Sequence, residues 1–125
     1  MKYEQPAPMS RVDAERALLS SSPEKICDAL LASALYDPDW RWVQEQCLRS
    51  LQHPSEDVRG LALTCLGHVA RLHGRLDVER VMPALAALRA HPSLAGRVED
   101  ALDDIEMFLD RPGTEAPLNR DETAS

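Results

Sequence analysis

The chain has 125 residues, 44% apolar and only 4% aromatic, with a formal net charge of −7 from 21 acids against 14 Lys and Arg. That length fits one domain, and a core built mainly from Leu, Ala and Val suits helix-on-helix packing better than a sheet sandwich. The acidic balance disfavours direct nucleic-acid binding, because the bases alternate with acids instead of clustering.

Residues 1–9 hold two prolines and no apolar period, and read as a flexible lead-in. A short helix is predicted from Ser10 to Leu19, with Ser10 and Asp13 at capping spacing. Ser22-Pro23 starts the next helix, with proline at its first position, and Ile26, Ala29, Leu30, Ala34 and Leu35 carry it to about Tyr36. Asp37-Pro38 is the expected start of a third helix, running through Trp40, Val43, Cys47, Leu48 and Leu51 to about Gln52.

The fourth helix organises the rest. Ser55 is its expected N-cap, Glu56 and Asp57 stand where the helix dipole favours negative charge, and Gly74 suits a left-handed C-cap. Val58, Leu61, Ala62, Cys65, Leu66, Val69 and Leu72, widened by Leu63 and Ala70, make an apolar arc too broad for a surface helix. Only Gly60, Thr64, Gly67, His68 and Arg71 form a polar or small strip, so cover is expected on two or three sides. Asp77 is expected to cap a fifth helix, with Val78, Val81, Met82, Leu85 and Leu88 on one face and a bend at Pro83. His91-Pro92-Ser93 then introduces a last helix through Val98, Ala101, Leu102, Ile105 and Leu109. Residues 111–125 lack periodicity and read as a disordered tail, leaving a single helical-repeat domain at 10–110.

His53-Pro54-Ser55 recurs as His91-Pro92-Ser93, a spacing of roughly 40 residues, within the range of helix-pair repeats. Aligned on this repeat, Ala62 and Leu66 match Ala101 and Ile105. With the two N-terminal helices as a third pair, the expected fold is all-α, an α-solenoid of about three antiparallel helix pairs.

Asp57-Val58-Arg59, with Ala62 and Leu66 following and Pro54 preceding, resembles the second helix of a HEAT repeat, and Pro83 matches the proline often found in its first helix. The runs DPDWRWVQEQCL, DVRGLALTCLGHVARLHG and EDALDDIEMFL are similar to a group of short bacterial HEAT-like proteins. Some of these serve as immunity proteins for contact-dependent growth-inhibition toxins. The resemblance covers about residues 37–110, and the shorter first pair fits a terminal cap. It implies a non-catalytic binding protein, cytoplasmic, whose partner is a toxin domain.

The residues offer little chemistry of their own. Cys27, Cys47 and Cys65 are an odd number, each in an apolar helical pattern, and read as reduced core cysteines. With His53, His68, His73 and His91 they lack the close spacing of metal ligands, so no metal is expected. No nucleophile elbow or glycine-rich phosphate loop is present, and Asp103 and Asp104 diverge by ~100° on a helix, so they form no carboxylate dyad. Neither an enzyme nor a cofactor is expected. No apolar run reaches the roughly 18 residues that a membrane span needs.

The candidate sites are therefore surfaces. Glu99, Asp103, Glu106 and Asp110 recur at helical spacing as one acidic strip. The repeat alignment sets this strip beside Gly60, Thr64, Gly67 and Arg71, with Asp28 and Ala32 beyond. The picture is a shallow groove with a small-residue floor and an acidic edge, shaped for a basic partner; the bland reading is a solvated face on a capping helix. Trp42 is the other candidate. It lies nearly opposite the apolar face of its helix and either packs on the preceding pair or serves as an exposed anchor, with Arg41 beside it. A HEAT-like scaffold or accessory subunit, docking on an intracellular protein or self-associating as a homodimer, is the alternative to the one-to-one toxin complex.

Overall fold

In the computed structural model the described residues are 7–109, and they form six helices. These are α1 (Arg11–Leu18), α2 (Pro23–Tyr36), α3 (Trp40–Ser50), α4 (Glu56–His73), α5 (Val78–Leu88) and α6 (Pro92–Phe108). Three of the six helix starts follow the capping chemistry of the sequence. The hydroxyl of Ser10 accepts from Asp13 N, that of Ser22 from Lys25 N, and that of Ser55 from Val58 N. Each bond satisfies one of the amide donors left open at a helix N-terminus. Gly74 ends α4 at φ 64°, the left-handed conformation that costs glycine least. The first of the two His-Pro-Ser turns is stiffened by His53, whose Nδ1 accepts from Ser55 N at 2.9 Å.

One start differs from the sequence reading. Asp37 closes α2, and Asp39 caps α3, its carboxylate accepting from Trp42 N at 3.2 Å. Both are acids beside Pro38, so local sequence supports either; the Asp37 carboxylate is drawn away by Arg11 of α1, which donates to it at 3.0 and 3.2 Å. Asp77 lies at the start of α5 without a side-chain cap bond, while its own N–H donates to the buried Gln44 Oε1 of α3 at 2.7 Å. Pro83 lies inside α5, as expected.

Three helical hairpins, α1–α2, α3–α4 and α5–α6, stack side by side. The tightest packing between hairpins joins α2 to α4 and α4 to α6, so the second helices form one layer, with α1, α3 and α5 behind it. Within the layer the helices run parallel: Gly60 and then Gly67 of α4 meet Arg97 and then Asp104 of α6. Cys27, near the start of α2, lies 3.9 Å from Asp57 O, near the start of α4. This is the solenoid arrangement that the repeat implied. Flanked by α2 and α6 and backed by α3, α4 buries Val58, Ala62, Leu63, Cys65, Leu66 and Val69 completely. The three cysteines are free, with Cys47 and Cys65 in the core. A hydrogen bond with Cys47, then burial, pushes the Cys65 thiol well up, so this sulfur stays protonated and inert.

Candidate partner-binding surface

The layer of second helices leaves one broad open face, on the side away from α1, α3 and α5. On α4, Asp57, Leu61, Thr64, His68 and Arg71 look toward it, all exposed or half-buried. Asp28 of α2 is exposed, with the half-buried Leu31 and Leu35 on the same stripe. On α6 the buried stripe is Leu94, Val98, Ala101 and Ile105. At ~100° per residue, Asp100 and Met107 lie roughly 160–200° from Val98 and Ile105, on the open face.

This geometry corrects two parts of the sequence reading. First, Gly60 and Gly67 are not the floor of a groove. Both are buried, because charged side chains of α6 lie on them: a Cβ at Gly60 would stand 2.9 Å from Arg97 Nη1, and one at Gly67 would stand 2.6 Å from Asp104 Oδ2. They are points of close helix approach, so Gly60 is not available to a partner. Ala32, expected beyond them, is likewise buried. Secondly, the acidic strip does not border these glycines. Arg97 and Asp104 stand on the flank of α6 that faces α4, about 100° from Val98; Glu99 and Glu106 stand a similar angle away on the other flank, at the free end of the stack. Asp103 lies between that edge and the open face. Glu99 accepts from Arg89 at 2.6 and 2.9 Å, which ties it to the end of α5. Asp110 lies outside the described residues.

Asp28, Thr64, Arg71 and Asp103 thus share the open face or its margin. Thr64 spends its hydroxyl on Gly60 O, one turn back. Trp42 belongs to the other layer. It is half-buried against the core, with the Arg11 guanidinium carbon 4.0 Å from its ring centroid, so it packs on the preceding hairpin. Its remaining exposed edge lines an open cleft of about 590 Å³ with Leu18, Leu19, Ile26 and Gln46. Trp40 is half-buried against the core, under Arg41. Sequence reasoning missed Asp57 and Asp100 as members of the open face, and Arg97 at the seam between α4 and α6.

Charge is divided between the two sides. Ion pairs join residues of α1, α3, α5 or the turns at their ends: Arg11 with Asp37 and Asp39, Arg16 with Asp13, Arg80 with Glu45, and Arg89 with Glu99. The Arg80 hydrogen bond holds the Glu45 carboxyl below its ordinary range. Burial pushes the Asp37 carboxyl up, but the Arg11 hydrogen bond, the Asp39 N–H and the charges of Arg11 and His73 together hold it down. The open face carries none of these pairs.

His68 sits at the centre of the face. Its Nδ1 lies 2.7 Å from Arg71 Nη2, and because guanidinium only donates, Nδ1 accepts and the ring is neutral. Burial first, then the Arg71 charge, lower its pKa, with Asp104 opposing. The unfolded chain therefore binds this proton more readily, so His68 contributes stability above the ordinary histidine range that is lost as pH falls below about 6.5. Unfolding midpoints in urea measured between pH 7.5 and 5 are expected to fall in the wild type and to fall less in His68→Gln. Equal slopes would remove His68 from this account.

No family model matches the chain, and no curated protein sequence matches it. Among solved structures, a chain of the CDI complex from Cupriavidus taiwanensis LMG 19424 is 35% identical, with a TM-score of 0.77. The match covers 86% of this chain and 97% of that one. The chain belongs to that protein's family. CDI is contact-dependent inhibition, the system whose immunity proteins the sequence resembles, so the resemblance read from residues 37–110 extends over nearly the whole relative. Among the described residues, no helix is long and apolar enough to cross a membrane.

Proposed function

We propose that this chain is a CDI immunity protein that binds a cognate toxin domain one-to-one in the cytoplasm and neutralises it by covering its active site. It acts by binding and not by catalysis. The observation that carries this reading is the relative from a CDI complex, matched over nearly its full length at 35% identity. The charge supports it further. A toxin that cleaves nucleic acid needs a basic cleft to hold phosphates, and a chain of net charge −7 is drawn to such a cleft and competes for it. Occluding a cleft needs a broad rigid surface, which the α2/α4/α6 layer offers.

The test is co-expression. Cells producing the C-terminal toxin domain encoded beside this gene are expected to grow when this chain is also produced, and to die without it. Failure to rescue from every toxin domain encoded beside the gene would sink the proposal.

A further inference from the structure

We infer that the docking surface is the open face of α2, α4 and α6, and that it takes the basic surface of a folded protein domain. This rests on the immunity reading above and adds the location and chemistry of the contact.

The face is acidic at one end and carries exposed apolar side chains at the other. Toward the N-terminal ends of the three parallel helices lie Glu24, Asp28, Asp57 and Asp100, all exposed. Toward the C-terminal ends of α4 and α6 lie Leu72, 49% exposed, and Met107, 73% exposed. Acids without ion-pair partners are what a docking surface for a basic partner presents.

Helix dipoles account for part of the acid. Glu24 and Asp57 stand in first turns, where negative charge is favoured. Asp28, Asp100 and Asp103 lie beyond the first turn, where that attraction has faded. Here the acids oppose one another: Glu24 with Asp28, Asp100 with Asp104 and Glu99 with Asp103 are like charges at i,i+4, a spacing that destabilises a helix. Arg97 and Arg71 are the cations of the face, fewer than its acids, and Asp28, Asp100 and Asp103 make no ion pair among the described residues. In the outer layer, by contrast, Arg11, Arg16, Arg80 and Arg89 each stand in an ion pair with an acid. A face whose acids outnumber its cations gains from a basic partner, so charge complementarity selects the occupant.

The experiment measures association kinetics between the purified chain and the C-terminal domain encoded by the neighbouring open reading frame, at low and moderate salt. The variant Asp28→Asn/Asp100→Asn/Asp103→Asn removes three charges from the face. It is expected to slow association about tenfold or more at low salt, with the difference shrinking as salt rises. Relief of repulsion is expected to leave the free variant's melting temperature equal to or above that of the wild type. A control, Asp13→Asn/Glu15→Gln/Glu79→Gln, removes three exposed acids from the outer layer and is expected to bind nearly as the wild type does. If the wild type binds and the face variant associates as fast, the docking surface lies elsewhere and the immunity reading stands. If both variants slow association equally, net charge and not this face is responsible, and the inference fails. A lowered melting temperature in the face variant would show these acids to be structural and overturn the inference. No binding by the wild type overturns the inference and the immunity reading together.

Discussion

Leu66→Ala is expected to destabilise the protein by about 2–5 kcal/mol. Leu66 is 0% exposed and sits in mid-α4, the helix that every hairpin interface uses. Removing its branched end leaves a cavity between elements that cannot close on it, because α2 and α6 hold α4 from both sides and α3 holds it from behind. For a domain of this size the melting temperature is expected to fall by roughly 10–20 °C. Leu72→Ala, on the same helix, is the internal comparison. Leu72 is 49% exposed, so less apolar area is lost and no cavity forms; a loss below about 1 kcal/mol is expected. Urea unfolding followed by circular dichroism measures both. Equal losses would contradict the central position given to α4.

Gly67→Leu is expected to cost about 1–3 kcal/mol by forcing α4 and α6 apart. The first atom of any side chain at Gly67 already meets Asp104 Oδ2 at 2.6 Å, with Asp104 Cβ and Cγ at 3.4 Å. The carboxylate can swing aside for a methyl group, and alanine gains about 1 kcal/mol of helix propensity over glycine, so Gly67→Ala is expected to be close to neutral. Leucine carries three further carbons past this point into the space that the Asp104 side chain fills, so more than the carboxylate must move. Gly96→Ala on α6 calibrates the series. Nothing lies within 4 Å of its added carbon, so it should recover the propensity gain of about 0.5–1 kcal/mol undiminished. Guanidinium unfolding of the three variants separates these terms. Wild-type stability in Gly67→Leu would mean that the two helices do not approach as closely as described.

Much of the architecture was legible because local chemistry and packing agree. Ser10, Ser22 and Ser55 announced helix starts, Gly74 announced an end, and the broad apolar arc of α4 announced a helix covered on several sides. Asp37 and Asp39 could not be told apart locally, since the choice was made by Arg11 of α1. The surface was harder to read for a related reason. Repeat alignment finds residues that are equivalent in their own hairpins, and equivalence is not adjacency. It paired Ala62 with Ala101, which set Glu99 level with Gly60, whereas the helix that touches Gly60 does so with Arg97.

A usable signal was present. Gly60 and Gly67 are two turns apart on α4, and Arg97 and Asp104 are two turns apart on α6. Two glycines on one stripe of a buried helix point to a close neighbour, and a matching stripe of side chains long enough to lie over them identifies which flank of α6 does so. The acids then sort themselves: Asp104 is in the seam, Asp100 on the open face, and Glu99 and Glu106 at the free edge. Trp42 was resolvable only in three dimensions, because its packing depends on Arg11, a residue of another helix.

The measurement that tests the central claim most directly is a titration of the purified toxin domain, encoded beside this gene, with this chain, reading the domain's own activity. Neutralisation by occlusion predicts that activity falls linearly and vanishes at one molar equivalent. Full activity at a large excess of this chain would contradict the account.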